Sequence, residues 1–164
     1  MATLRCTAKY RKALALPEKL LEPSTAVHPL GEWYANTLTI QRQPLFHFMN
    51  GRVLLSVLIP MRDRRSAESR MVEALGDLLR SFGLPPAAVE TFLSHARTFE
   101  HARAHDRSIL ASMRDQASVA KSDGGRGYSL GEIMSRLSVM PCGALGYSSP
   151  ENEVVRLLQS GGAV

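Results

Sequence analysis

Leu45-Phe46-His47-Phe48-Met49-Asn50-Gly51-Arg52-Val53-Leu54-Leu55-Ser56-Val57-Leu58-Ile59 holds two strand-like segments joined by Asn-Gly. Both residues of that dipeptide tolerate positive φ, so it suits a two-residue hairpin turn. A turn at Asn50-Gly51 sets Phe48 opposite Val53 and Phe46 opposite Leu55 on one side of the ribbon. Met49 then faces Arg52, and His47 faces Leu54, on the other. The first side is wholly apolar, continues to Val57 and demands a core. The second side mixes Leu45, Leu54 and Leu58 with His47, Arg52 and Ser56.

Upstream, residues 33–40 also alternate like a strand. Tyr34, Asn36, Leu38 and Ile40 share one side, and Trp33, Ala35, Thr37 and Thr39 the other. Gln41-Arg42-Gln43-Pro44 turns this strand into the hairpin, which completes an antiparallel meander. Leu4-Arg5-Cys6 supplies a further short strand, and Thr7 can cap a short helix with Tyr10, Ala13 and Leu14 on one face. Residues 17–29 form a proline-containing loop.

Pro60 ends the meander, and the period changes. Met71, Leu75, Leu78, Leu79 and Phe82 form an amphipathic helical stripe, and a second helix opens at Pro85 or Pro86. Residues 98–105 fit a strand better than a helical extension, because Asp106 or Ser108 resembles the cap of a new helix. That helix is expected to stop at a mobile loop, Ser122-Asp123-Gly124-Gly125-Arg126-Gly127. Two short helices follow, the last capped by Ser149 with Pro150 in its first turn, and Gly161-Gly162 reads as a frayed tail. The expected fold is α+β over residues 1–164 as one domain. It has an antiparallel sheet of three to five strands (the N-terminal strand plus the meander 32–59), packed on one face by the C-terminal helices.

The chain has 164 residues and a net charge of +5. Its 45% hydrophobic and 21% charged content is that of an ordinary globular protein. The longest apolar stretch, 53–59, is far short of the ~20 residues that span a bilayer. The N-terminus has no signal-peptide pattern, so a cytoplasmic location is expected. Cys6 and Cys142 form no C-x-x-C pair and fit two free thiols of a reducing compartment. Residues 1–60 carry seven Lys/Arg against three acids, so the basic excess lies mainly in the N-terminal third.

No pattern of high specificity for catalysis, metal or cofactor is present. His95, His101 and His105 have no acidic or thiol ligand at metal-site spacing. Gly124-Gly125-Arg126-Gly127 lacks the Lys-Ser/Thr that a phosphate cradle requires. Arg62-Asp63-Arg64-Arg65 reads as a polar connection. Two groups of residues are candidates for binding. Lys9, Arg11, Lys12, Arg42 and Arg52 would serve nucleic acid. Asn36, Arg42, His47, Arg107 and Asp115 would build a polar site if they converge. Arg107 either ties the meander to the helix, through backbone carbonyls or Asn36, or is solvated.

Arg5-Cys6-Thr7, Leu30-Gly31-Glu32-Trp33-Tyr34-Ala35-Asn36, Arg107-Ser108-Ile109-Leu110-Ala111-Ser112-Met113-Arg114-Asp115, Met140-Pro141 and Tyr147-Ser148-Ser149-Pro150 together resemble an uncharacterised bacterial family, known only as a domain of unknown function. The chain departs from that pattern at Gln41-Arg42-Gln43, where more basic residues are expected. The resemblance implies one domain and carries no activity. The functional expectation is therefore a non-enzymatic macromolecular binding protein of bacterial, phage or mobile-element origin, such as a defence or counter-defence accessory. Its partner would be another protein. Nucleic acid and an unrecognised enzyme site are the alternatives. A homodimer could form through the sheet face bearing His47 and Leu54.

Overall fold

The computed structural model describes residues 1–23 and 28–160. The expected tail at Gly161-Gly162 lies outside them, as does the 24–27 part of the proline-containing loop. Five strands form one sheet: β1 (Ala2–Cys6), β2 (Trp33–Ile40), β3 (Gln43–Asn50), β4 (Ser56–Pro60) and β5 (Phe99–Arg103), in the spatial order β4-β3-β2-β1-β5. The meander β2-β3-β4 is antiparallel, as its short connections require. The 98–105 segment is a strand. The edge at which β1 and β5 join is parallel: β1 runs parallel to both β2 and β5. Parallel neighbours need a crossover. Helix α1 (Ala8–Leu14) lies in the one between β1 and β2, and α2 (Ala67–Ser81) and α3 (Pro86–Ala96) precede β5. Helices α4 (Arg107–Gly125), α5 (Leu130–Ser138) and α6 (Pro150–Gln159) complete the fold, which is α+β with helices packed on the sheet.

Those helices cover both faces rather than one. Trp33, Ala35, Phe46, Phe48, Val57 and Ile59 pack with Tyr10 of α1, Met71 and Leu75 of α2, and Phe92 of α3. On the other face, Leu38, Ile40, Leu45 and Leu58 meet Ala120 of α4 and Ile133 and Leu137 of α5. Tyr34, Met49 and Leu54 meet Met113 of α4. The second face carries too many large apolar side chains to remain in water. Because it is covered, the face bearing His47 and Leu54 has no surface to offer a second copy of the chain.

The hairpin turn differs from its expected form. Phe48 lies opposite Val57 and Phe46 opposite Ile59. The register is thus displaced by four residues from a turn at Asn50-Gly51. Neither of those two residues has positive φ; Leu54, at φ 57°, does. The Asn50 side chain explains the longer loop. Its Oδ1 accepts from the amides of Arg52 and Val53, and its Nδ2 donates to the Leu30 carbonyl. Gly51 sits in close quarters: a Cβ there would lie 3.0 Å from Ile109 Cδ1 and 3.3 Å from the Glu32 carbonyl oxygen. The two-residue turn with both φ angles positive lies instead between β2 and β3, at Gln41 (49°) and Arg42 (65°).

Helix α4 also overrides its sequence signal. It runs on through Asp123 and Gly124 to Gly125, where a mobile loop is expected. Asp123 is buried and pairs with Arg136 Nε of α5 at 3.0 Å. Gly124 lets the helix touch β2, because a Cβ there would fall 2.1 Å from Ile40 Cγ2. The helix is capped by Asp106, whose carboxylate accepts from the amides of Ser108 and Ile109.

Candidate functional site

Strand β1 stops five residues before the end of β2, leaving 36–40 without a partner on that side. Its last rung sets Cys6 against Ala35, and the Thr7 amide still donates to the Ala35 carbonyl at 3.1 Å. There the chain turns to α1 on one face of the sheet. The neighbouring parallel strand β5 ends level with it, Arg103 beside Cys6, and leads to α4 on the opposite face. Adjacent parallel strands whose exits diverge leave a crevice outside their carboxyl ends. In this protein the crevice is floored by Asn36 and the remainder of β2.

Two adjoining hollows, of about 460 and 520 Å³, share Lys9, Asn36 and Arg114 and so form one cleft. Thr7 and Arg107 lie at its inner end, and Thr37, Leu38, Thr39, Ala117 and Lys121 at its outer end. Asn36 is fixed: its Oδ1 accepts from Thr7 Oγ1 at 2.9 Å and from the Thr37 amide at 2.8 Å. Lys9, Arg107, Arg114 and Lys121 are exposed. Arg107, Arg114 and Lys121 recur every seven residues, two helical turns, and so rise along one face of α4 at ~10.5 Å intervals. Among the described residues, the side chains lining the cleft include no Asp, Glu, His or Cys. Four cations along one cleft with no carboxylate between them make a site for negative charge.

Of the sequence candidates, Lys9, Asn36 and Arg107 converge there. The bonds on Asn36 Oδ1 come from Thr7 and Thr37, so Arg107 is not what holds it. Asp115 is exposed beside Arg114 but does not line the cleft. Arg11 is turned to the Glu18 carbonyl, and Lys12 is exposed at the end of α1. Arg42 occupies the β2–β3 turn. Arg52 borders a separate hollow with Glu153 and Arg156. His47 lies inside the sheet–helix interface, 2% exposed, and burial pushes its pKa down to about 4. Arg114 and Lys121 were not singled out in the sequence. Their spacing of seven and fourteen residues from Arg107 puts all three on one face of the helix expected before residue 122; what the sequence does not show is that this face borders the open edge of β2.

Several other reactive groups serve the fold. Cys6 is buried, and desolvation raises its thiol to about 12, which leaves it a poor nucleophile. His101 bonds Glu68 on the other face. His95 Nε2 accepts from Trp33 Nε1 at 3.2 Å. Among the described residues no group of three or more His, Cys, Asp or Glu side chains is placed to hold a metal ion. Arg5, one of the N-terminal cations, is buried and ties β1 to Glu32 (2.9 Å) and to the Arg103 carbonyl (3.2 Å).

A family model described as a domain of unknown function (DUF6933) matches residues 3–153. That span contains all of the motifs on which the sequence resemblance rests. No curated protein and no solved structure matches the chain.

Proposed function

The chain belongs to the DUF6933 family, and we propose that it is a non-enzymatic binding protein whose cleft receives an acidic segment of a protein partner. One observation carries this reading: Lys9, Arg107, Arg114 and Lys121 line two adjoining hollows, joined into one cleft, without a carboxylate. Leu38 of β2 and Leu110 and Ala117 of α4 also line the cleft, which suits a chain with apolar as well as acidic side chains. A nucleic-acid strand would be favoured by cations extending along a track. Arg42, Arg52 and Lys12 do not extend the cleft into such a track. Among the described residues the lining holds no Asp, Glu, His or Cys side chain.

A cytoplasmic accessory factor of a bacterium, phage or mobile element is part of the same proposal. The free thiols Cys6 and Cys142 suit a reducing compartment. Among the described residues no helix is long and apolar enough to cross a membrane.

Selection from a displayed library of random dodecapeptides tests the reading. The wild-type protein is expected to enrich acidic sequences, and the double variant R114E/K121E is not. Enrichment without acidic character overturns the proposal, as does tighter binding of a single-stranded oligothymidylate than of the selected peptides.

A further inference from the structure

We propose that the acidic segment binds as an added β-strand, pairing with the open edge of β2 at Thr37 and Thr39 where β1 has stopped. This deepens the reading of the cleft as an acidic-peptide site and rests on it.

The geometry follows from the register. Pairing between β2 and β3 is continuous from Trp33–Asn50 to Ile40–Gln43, with no bulge. Backbone groups along a strand point alternately to its two neighbours. The Ala35 carbonyl points to the β1 side, because it accepts from the Thr7 amide. Thr37 and Thr39 therefore point to that side too. The Thr37 amide is taken by Asn36 Oδ1. The Thr37 carbonyl and the Thr39 amide and carbonyl face the cleft, with no strand beside them among the described residues. Five residues of β2, 36–40, give ~17 Å of edge. An extended segment there would continue the line of β1 in the plane of the sheet.

The walls select its chemistry. Successive side chains of such a strand point to opposite faces. One set meets Arg114 and Lys121 of α4, and the other meets Lys9 of α1. Cations beside an open edge repel a basic strand and deter pairing of one copy with another, since each copy carries the same charges. An acidic strand is attracted by those same charges. Main-chain bonds then supply affinity, and the alternating walls supply specificity.

The test uses the wild-type protein and the acetylated, amidated peptide (Glu-Val)5, with two forms N-methylated at every Glu or at every Val. All residues of a strand that face β2 belong to one of those two sets. The parent peptide is expected to bind and to slow hydrogen exchange of the Thr39 amide at least tenfold. One methylated form is expected to lose at least tenfold in affinity, and the other less than threefold. If the parent peptide binds the wild type and not R114E/K121E, but leaves Thr39 exchange unchanged and is equally weakened by both methylations, strand addition is wrong and the cationic cleft stands. If the parent peptide fails to bind at all, the acidic-peptide reading falls with it.

Discussion

His47 Nε2 and Ser56 Oγ lie 2.8 Å apart beneath α4, in the middle of the buried sheet face. Their bond has a direction. Gln116 Nε2 donates to the Leu54 carbonyl at 2.8 Å, which orients its amide so that Oε1 accepts from the Ser56 hydroxyl. With its one proton committed to Gln116, Ser56 must accept from His47. Nε2 therefore carries a proton, and burial, which lowers the pKa of the ring to about 4, keeps the imidazole neutral. This chain of bonds joins β3, β4 and α4 through polar groups that water does not reach.

That arrangement makes the fold sensitive to acid. Desolvation lowers His47 to about 4, and burial, with help from His28, lowers His95 to about 4. The unfolded chain titrates both near 6.5. Between those values the unfolded state binds more protons, so stability falls as pH drops from about 6.5 to about 4. At ~1.4 kcal/mol per decade the ceiling is about 3 kcal/mol for each histidine. The His101–Glu68 pair acts oppositely: Glu68 raises His101, so its contribution is present at low pH and lost as pH rises through the raised value. Urea melts at pH 7 and pH 4.5 are expected to show a net loss of several kcal/mol. His47→Gln should shrink that difference. An unchanged difference would mean that the ring is not buried neutral.

Phe46 is fully buried, with its ring edge-on to Tyr10 at 5.5 Å between centroids and near Phe48 at 6.4 Å. Phe46→Ala is expected to cost ~3–5 kcal/mol through lost burial and a residual cavity. A loss below ~1 kcal/mol in denaturant melts would place the ring outside the core.

The face assignment survived a misplaced turn for a simple reason. Side-chain direction in a strand has period 2, so displacement by four residues returns every residue to its own side. Phe46 and Phe48 thus reach the expected core although neither has its expected partner, while Val53 and Leu55 reach it from the loop. What misled was Asn50: the same side chain that permits a tight turn also caps a longer loop by bonding amides two and three residues on. The cleft was less legible. It exists because β1 ends early, which depends on tertiary pairing, and because α4 runs through Gly124 onto Ile40 against local propensity. Lys9, Asn36 and Arg107 are visible as polar residues in the sequence, but their convergence is set by that packing.

The turn at Gln41 and Arg42 stores removable strain. Both residues hold positive φ, at 49° and 65°. This conformation costs a non-glycine residue roughly 1–2 kcal/mol, less where Asn stands. Replacing the pair by Asn-Gly is expected to raise stability by about 1 kcal/mol and the melting temperature by several degrees, with the β2–β3 register unchanged. A lower melting temperature would mean that the native side chains make compensating contacts.

Arg114 separates binding from folding. It is exposed and stands midway between Arg107 and Lys121, ~10.5 Å from each along the helix. Two unit charges at that distance in water repel by ~0.4 kcal/mol before screening, and the separation is close to the Debye length of ~10 Å at 0.1 M salt. Alanine is also the better helix former. Arg114→Ala should therefore change unfolding free energy by no more than ~0.5 kcal/mol, with relief of repulsion acting towards stabilisation. A charge-assisted hydrogen bond contributes ~1.5–3 kcal/mol, so the same change should weaken an acidic peptide by roughly ten- to a hundredfold. Lys12→Ala, exposed but outside the cleft, should leave both quantities alone. The comparison is made by melting each variant and titrating each with the labelled (Glu-Val)5 peptide at two salt concentrations. A large loss of stability in Arg114→Ala would make Arg114 part of the fold's support, and weakening of equal size in Lys12→Ala would make the attraction a property of net charge rather than of the cleft.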